Sequence, residues 1–263
     1  MTHSGPKQTV TLWMGRKMET KVILSCDDNP YYLDFWPLVS WVWREKMGIE
    51  PVLAHVGERK PTEEYGQVHT IPVDQTIPIH TQAQLSRMWY THAEPETTWI
   101  TGDIDMFPMS RIYWQLAIDS FGECDWTNLN SNVDYFPICY NIAKGKVFTD
   151  ILEIESSFSD YCRKVSDSVE ENFEHLPDNW HNDDILSKWT IDEIYSSQKI
   201  CEFRDSGGKV CQPVPMMRLN RRIDRVNWSY NKDMVTAGEY IDCHSLRPYT
   251  SYTKEIDELL ELL

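Results

Sequence analysis

Apolar positions along residues 20–110 alternate between two kinds of spacing. Compact β-prone runs predict strands, and they cover residues 21–26, 50–56, 67–73 and 97–104. Between these runs, apolar residues recur at intervals of three and four, which predicts amphipathic helices over residues 31–47 and 81–90. Because strands alternate with helices, we expect an α/β fold with a mostly parallel central sheet flanked by helices.

The pattern after residue 110 is less regular. It predicts a helix over residues 111–120, an aromatic strand near residues 133–140 and a polar helix over residues 148–174. Helical spacing then returns, which predicts a packed C-terminal helix, at Ile256, Leu259, Leu260 and Leu263. No composition shift marks a linker, and 263 residues suit one sizeable domain.

Charge narrows the range of partners. The 41 acidic residues outnumber the 25 basic ones, and the formal net charge of −16 opposes binding to nucleic acid and to anionic membrane surfaces. A nucleotide is a different case, because one bound divalent cation neutralises a diphosphate locally. We therefore expect no nucleic-acid partner and leave a nucleotide ligand open.

Two further features concern the cellular compartment. No run approaches the ~20 apolar residues of a spanning helix, and residues 1–19 contain no apolar run of signal length. The seven cysteines are scattered without a C-x-x-C pair, and we interpret them as reduced, mostly buried thiols. The sequence therefore predicts a cytoplasmic protein without a transmembrane segment.

The strongest candidate for chemistry is the pair Asp103 and Asp105, which ends an apolar strand pattern. In an extended segment alternate residues point the same way, so the two carboxylates would share one side while Ile104 faces the core. Two carboxylates at the end of a buried strand suit Mn²⁺ or Mg²⁺, which keeps its other positions for water and phosphate oxygens. The alternative is a solvated turn that happens to contain two aspartates.

Two segments resemble the GT-A class of glycosyltransferases, in which a D-x-D motif follows a central strand. Residues 86–89 (SRMW) and 102–106 (GDIDM) are similar to the helix and the D-x-D of its retaining galactosyl- and N-acetylgalactosaminyltransferases. The resemblance implies a nucleotide-sugar donor, usually a UDP-sugar, whose diphosphate is bound through a divalent cation. It also implies that Arg87 approaches the donor, whereas an exposed helix arginine is the alternative.

A second acidic segment, residues 180–186 (WHNDDIL), is similar to two motifs of the same class. The W-H-D-E-x-x-L motif of the retaining group places Asp183 beside the anomeric carbon. The D-Q-D-x-L-N motif of the glycogenin-like group places Asp184 on the donor sugar instead. In an inverting enzyme one of these carboxylates would deprotonate the acceptor hydroxyl, and without chemistry both would stabilise a helix N-terminus.

The remaining site candidates lie near the two ends of the chain. Many GT-A enzymes add a C-terminal histidine to the metal site and follow it with a phosphate-contacting loop. His244 and Arg247 resemble a shortened form of this pattern that lacks its glycine, and the alternative for His244 is a structural role. At the end of the first strand, Ser25, Asp27 and Asp28 are candidates for donor contacts, or for a turn made by the D-D-N-P sequence.

These observations predict a metal-dependent glycosyltransferase that moves a sugar from a UDP-sugar to a carbohydrate or other hydroxyl acceptor, with retention favoured over inversion. We divide the single domain, residues 1–263, into an N-terminal extension (1–19), a nucleotide-binding half (20–110), an acceptor-binding half (111–250) and the C-terminal helix (251–263). Trp126, Trp180 and Trp189 are candidates for acceptor contact. The alternatives are a phosphatase or phosphotransferase that uses an aspartate pair, and a nucleotide-sugar-binding module without turnover.

Overall fold

The computed structural model describes residues 19–130, 135–155, 157–172, 190–212 and 221–263. These residues form the strands β1 (Thr20–Asp27), β2 (Glu50–Val56), β3 (Gln67–Ile71), β4 (Thr98–Thr101), β5 (Met106–Pro108), β6 (Trp126–Asn128), β7 (Asn141–Lys144), β8 (Val210–Cys211), β9 (Arg222–Asp224) and β10 (Asp242–His244). They also form the helices α1 (Pro30–Leu33), α2 (Trp36–Trp41), α3 (Ile79–Tyr90), α4 (Arg111–Phe121), α5 (Gly145–Ile151), α6 (Phe158–Asn172), α7 (Ile191–Asp205), α8 (Lys232–Thr236) and α9 (Thr253–Leu260). No helix in these ranges combines the length and the apolarity that a membrane crossing requires.

The central sheet contains seven of these strands in the order β3-β2-β1-β4-β7-β6-β8. Strand β1 pairs in parallel with β2 on one side and with β4 on the other, and β3 continues the parallel part. Strand β7 runs antiparallel to both β4 and β6. The chain therefore builds outward from β1 to β3 and then returns to the opposite side of β1. The predicted mostly parallel α/β sheet is confirmed.

Apolar side chains cover both faces of this sheet. In β1, Val22 and Leu24 point to one face and Ile23 to the other, because successive strand residues alternate. The first face packs against α2, α4 and α9, and the second against α3, α5, α6 and α7. A sheet that is buried on both faces explains why its strands are continuous apolar runs in the sequence.

A small second sheet brings the C-terminal part of the chain to the end of β4. Strand β10 lies between β5, to which it is antiparallel, and β9, to which it is parallel. An ion pair fixes β9 to β10, since Nη2 of Arg222 lies 2.7 Å from Oδ2 of the fully buried Asp242. As β5 follows β4 directly, residues next to β9 and β10 lie beside the turn that carries the D-x-D sequence.

The helix predicted over residues 31–47 is divided in the structure. Helix α1 ends at Leu33, and α2 begins at Trp36 and continues as a π-helix over Val42–Met47. Gly48 then ends the helical segment with a φ of +72°, a left-handed conformation that glycine adopts without strain. The other helices and strands predicted between residues 20 and 121 are confirmed, with shifts of a few residues at their ends.

The aromatic strand predicted near residues 133–140 is wrong over the residues that the structure describes, 135–140. This segment forms no strand ladder. Two of its carbonyl groups bind side chains instead, because Asn128 donates to Pro137 O at 3.0 Å and Asn130 donates to Cys139 O at 3.1 Å, whereas Tyr140 O accepts the backbone N–H of Leu129 at 2.9 Å. Phe136 is fully buried, so the segment has the apolar composition of a strand without its pairing.

The polar helix predicted over residues 148–174 is two helices, α5 and α6. Helix α5 ends at Ile151, and Glu153 has a φ of +49°, which a continuing helix does not allow. Lys164 of α6 holds this turn, because its Nζ donates to Glu153 O at 2.9 Å and lies 3.0 Å from Glu153 Oε2. Polar residues run on both sides of the break, so composition alone did not mark it.

The expectation that all cysteines are reduced is also wrong. Cys124 and Cys211 form a disulfide with a Cα–Cα distance of 6.0 Å, which joins the segment before β6 to the edge strand β8. The two residues are 87 positions apart in sequence, and they meet only because β6 and β8 are parallel neighbours. Disulfides persist mainly in oxidising compartments, so the cytoplasmic location stays a prediction.

The disulfide predicts a thiol count. The unfolded protein should react with a thiol reagent at five cysteines before reduction and at all seven after it. Replacing both partners, Cys124→Ser with Cys211→Ser, should lower the free energy of unfolding by about 2–4 kcal/mol, because the bond restricts the unfolded chain. Urea denaturation measures this loss, with Cys201→Ser as the control outside the bond. Seven reactive thiols before reduction would contradict the pairing.

Candidate functional site

A cleft of about 570 Å³ opens at the carboxyl ends of β1 and β4. Strand order reverses between these two strands, and open α/β sheets bind ligands outside such a switch point. Its lining comes from the end of β1, one side of α3, the turn between β4 and β5, and the start of α7. The C-terminal region adds Arg225, His244 and Arg247. The cleft has the size of a small-molecule site, for which about 300–1,000 Å³ is usual.

The turn between β4 and β5 carries Asp103 and Asp105 into this cleft. Its first residue, Gly102, donates its backbone N–H to β1, and a side chain there would come within 2.9 Å of Leu24. Glycine therefore lets the turn lie close against β1. The side chain of Asp103 is 30% exposed and that of Asp105 only 7%, so the two carboxylates differ in their access to solvent.

Arg87 of α3 connects the aspartate turn to α7. Its Nη1 lies 2.5 Å from Oδ1 of Asp103, and its Nη2 lies 2.6 Å from Oδ2 of Asp192. Burial lowers the pKa of Arg87, but the two carboxylates raise it by more than burial lowers it. The pKa therefore lies above its usual value, and the guanidinium stays charged. The alternative of an exposed helix arginine is wrong, because Arg87 is buried and lines the cleft. Its contact with a donor stays a prediction.

Asp105 is surrounded by basic side chains. Its Oδ2 lies 2.6 Å from Nη1 of Arg225, 3.3 Å from Nη1 of Arg247 and 3.7 Å from Nε2 of His244. Burial raises the pKa of Asp105, but these three neighbours lower it to about 2. Sequence reasoning missed Arg225, because a single arginine after a short strand carries no local signal for a contact with a residue 120 positions away.

His244 is oriented by a second carboxylate. Its Nδ1 lies 3.3 Å from Oδ2 of Asp224, which leaves Nε2 on the side of Asp105. Histidine ligands of metal ions are usually held in this way by a carboxylate on the other ring nitrogen. The role of His244 as a metal ligand stays a prediction, with a structural role as its alternative.

The predicted metal ligands have side chains that Mn²⁺ and Mg²⁺ accept. Two carboxylates and one imidazole, from Asp103, Asp105 and His244, are suitable ligands by chemical type. Within the described parts of the chain, no three His, Cys, Asp or Glu side chains already converge as a complete metal-ion group. Such ions are commonly bound through one or two carboxylates together with substrate phosphates. The residues therefore fit a cation that is shared with a ligand.

The three candidates at the end of β1 face different ways. Ser25 and Asp27 line the cleft, whereas Asp28 does not. The Asp28 carboxylate accepts the backbone N–H of Glu58 at 2.8 Å and lies 2.9 Å from Nε2 of His55. Burial raises the pKa of Asp28, but these groups lower it below its usual value. Asp28 thus anchors the loop after β2, and donor contacts of Ser25 and Asp27 stay predictions.

Asp183 and Asp184 lie outside the described residues. The acidic pair that the structure places in the cleft is Asp192 and Glu193, in the first turn of α7. A helix N-terminus favours negative charge, so this position suits both residues. The sequence signal was available, since Thr190 begins a T-I-D-E run ahead of a helix, but it is weaker than the 180–186 pattern.

Of the three tryptophans predicted to contact the acceptor, the structure describes Trp126. Trp126 is fully buried, and its Nε1 donates to Oδ1 of Asn141 at 3.0 Å. That prediction is wrong, because the indole is part of the core under β7 and does not reach the cleft. Trp180 and Trp189 lie outside the described residues.

Glu193 has an unusual environment for a carboxylate. It accepts the hydroxyl of Tyr135 and the backbone N–H of Ile138, the latter at 3.2 Å. Burial is the main cause that raises its pKa, the adjacent Asp192 raises it further, and the result is about 7. The cleft therefore contains one carboxyl group that titrates near neutral pH.

Comparisons with known proteins find the fold and no sequence family. No family model and no curated protein matches the sequence. An active-site variant of LgtC has a TM-score of 0.50 with 12% sequence identity, over 92% of this chain and 94% of that chain. The galactosyltransferase LgtC with donor and acceptor sugar analogs has a TM-score of 0.48 with 12% identity, over the same 92% and 94%. The bifunctional glycosyltransferase WbbM has a TM-score of 0.46 with 10% identity, over 94% of this chain and 51% of that chain.

The LgtC variant confirms the predicted fold, because it shares the α/β arrangement over nearly the whole of both chains. At 12% identity this likeness establishes the architecture alone. The chemistry of the cleft depends on its own residues.

The pKa of Glu193 predicts a pH dependence of stability. The folded protein keeps this proton up to a pH of about 7, whereas an unfolded glutamic acid loses it near a pH of about 4.3. The folded state binds more protons between these values, so the free energy of unfolding should fall as pH rises from about 4.3 to 7. Glu193→Gln should remove this fall and be more stable than wild type at pH 8, by on the order of 1–2 kcal/mol.

Urea denaturation at pH 5 and pH 8 measures this difference between wild type and variant. Glu202→Gln, on the exposed side of the same helix, is the matched control and should follow wild type. Parallel pH profiles for wild type and Glu193→Gln would contradict the assignment.

Proposed function

We propose that this protein is a glycosyltransferase that moves a sugar from a nucleotide-sugar, a UDP-sugar in the first instance, to a hydroxyl group of a carbohydrate acceptor. One observation carries the proposal. Asp103, Asp105 and His244 line one cleft at the switch point of the sheet, where a nucleotide diphosphate is expected to bind. The overall fold that the chain shares with the LgtC variant supports the same interpretation.

The diphosphate end of the cleft is defined by charge. Asp103, Asp105 and His244 are the residues that would hold Mn²⁺ or Mg²⁺, which supplies charge compensation when the nucleoside diphosphate leaves. Arg247 adds a fixed positive charge on the same side. Arg87 keeps Asp103 turned into the cleft through its buried ion pairs, which makes it a positioning residue as well as the predicted donor contact.

The sugar end of the cleft is defined by carboxylates. The resemblance in the 180–186 segment assigns Asp183 or Asp184 to the anomeric centre, and it favours retention over inversion. Among the described residues, Asp192 and Glu193 line this end. Burial raises the pKa of both carboxyl groups, and a pair of carboxyl groups near one reacting centre is typical of glycosyl chemistry.

The rim of the cleft suits an acceptor with apolar faces. Tyr31 and Ile79 line the cleft and remain 39% and 38% exposed. Aromatic and aliphatic surfaces at a cleft mouth pack against the apolar faces of sugar rings. The acceptor is therefore proposed to approach across α1 and the start of α3.

A phosphatase is the second enzyme class. That chemistry requires the first aspartate of the pair, Asp103, to attack phosphorus, and its Oδ1 is instead held 2.5 Å from Nη1 of Arg87. A carboxylate held in this way is a poor nucleophile. Release of phosphate from a monoester by the purified protein would favour the phosphatase, and ligand binding without turnover would favour a binding module.

The proposal predicts a metal-dependent ligand response. In a screen of UDP-, GDP- and dTDP-sugars, a UDP-sugar should raise the melting temperature only when Mn²⁺ is present. A ligand at a hundredfold its dissociation constant contributes ~2.7 kcal/mol of stability. Asp105→Asn should abolish this shift, because the cation loses one of its charged ligands, and it should also abolish hydrolysis of the UDP-sugar.

The matched control is Asp150→Asn, the same change at an exposed aspartate of α5. It should keep the full shift and the full hydrolysis rate. Equal stabilisation of wild type and Asp105→Asn would refute the proposed donor site, and a shift without hydrolysis or transfer would reduce the protein to a binding module.

A further inference from the structure

We propose that Arg225 changes partners during donor binding, from Asp105 in the empty cleft to the donor diphosphate in the loaded cleft. The inference rests on the proposed function and adds a residue that the sequence comparison with glycosyltransferases did not supply. It also assigns Arg225 a second role, which is to oppose binding of the cation before the donor arrives.

The charge around Asp105 is the first observation. Two guanidinium groups, of Arg225 and Arg247, contact one carboxylate oxygen at 2.6 and 3.3 Å, so Asp105 alone pairs with both of them. The negative charge of Asp224 lies nearby, but among the described residues its carboxylate lies against His244 and accepts the backbone N–H of Val226, and it pairs with neither guanidinium. Two guanidinium groups that share one carboxylate keep N–H donors for a second anion.

The position of Arg225 is the second observation. It follows β9 in a turn that Asp224 closes, through its side chain to Val226 N at 2.9 Å and its carbonyl to Trp228 N at 2.7 Å. Trp228 has a φ of +35°, a left-handed conformation that costs a non-glycine residue energy. The turn is held in this form by the packing of Trp228 on the core. The fold thus fixes the backbone that presents Arg225 to the cleft.

The competition for one oxygen is the third observation. A cation that binds Asp105 through Oδ2 competes with Arg225, whose Nη1 lies 2.6 Å from that oxygen. If a cation displaced the guanidinium and nothing else bound, the cation and Arg225 would lie close together. Their two positive charges would then repel each other. A diphosphate resolves this repulsion, because it accepts both the cation and the guanidinium. Cation and diphosphate should therefore bind together more readily than either binds alone.

Arg247 is built to assist without being the residue that moves. Its Nη1 donates to the hydroxyl of Tyr32 at 2.9 Å, and its guanidinium packs over Tyr31 and Tyr32 at 5.2 and 5.3 Å. Arg225 is 25% exposed in the cleft and contacts Asp105 through one nitrogen. Although the Arg225 contact is the shorter of the two, Arg225 has no side-chain partner besides Asp105 among the described residues, so its guanidinium has fewer contacts to give up than that of Arg247.

The test measures binding of two probes to the full-length protein, separately. Mn²⁺ alone is titrated by the electron paramagnetic resonance signal of the free ion, and UDP is titrated by calorimetry at saturating Mn²⁺. Arg225→Gln should bind Mn²⁺ alone about tenfold more tightly, because the competing charge is gone. It should bind UDP with Mn²⁺ about tenfold more weakly, because one charged hydrogen bond to the diphosphate is lost. Arg225→Lys should bring both affinities part of the way back to their wild-type values.

Arg221→Gln is the matched control, because Arg221 is 44% exposed, lies four positions away and pairs with Glu239 on the surface. It should leave both affinities unchanged. If Arg225→Gln moves both affinities in the same direction, or moves neither while wild type binds both probes, the exchange is refuted and the proposed function stands. If wild type binds neither probe, the proposed function fails and the exchange fails with it. Melting temperatures without ligand show whether Arg225→Gln is folded.

Discussion

The pairing of one buried carboxylate, Asp105, with arginines from the end of the chain is the interaction on which the site depends. The side chain is only 7% exposed, and a carboxylate in such a place requires partners that compensate its charge. The partners come from after β9 and β10, and the backbone of Asp105 also accepts the N–H of Ser245 at 2.9 Å. The first sheet and the small second sheet are therefore joined at the same residue that the proposed chemistry uses.

The small sheet converts this local pairing into a rigid arrangement. The ion pair of Arg222 with Asp242 fixes β9 against β10, and Asp224, at the end of β9, both closes the following turn and orients His244. The positions of β9 and β10 are thus set in part by contacts outside the cleft. A site held from behind in this way keeps its backbone in place while a ligand enters and leaves.

The sequence predicted what local pattern determines. Strands and helices up to residue 121 were recoverable because each has its own apolar period and its own end signals, and the D-x-D pair was recoverable because it ends a buried strand. The segment 135–140 was not, because the amide side chains of Asn128 and Asn130 replace the strand ladder. The Cys124–Cys211 bond and the Arg225–Asp105 contact were not recoverable either, since each joins residues 87 or more positions apart.

The exchange of partners also bears on how the cleft empties. A diphosphate product held by a cation and two arginines would leave slowly if its departure exposed an unpaired carboxylate in the buried turn. Asp105 avoids that state, because the structure places Arg225 and Arg247 at 2.6 and 3.3 Å from its Oδ2. Since the cation would compensate this charge in the loaded cleft and the arginines compensate it otherwise, product release leaves no buried carboxylate unpaired. The same arginine that opposes premature cation binding therefore lowers the cost of product release.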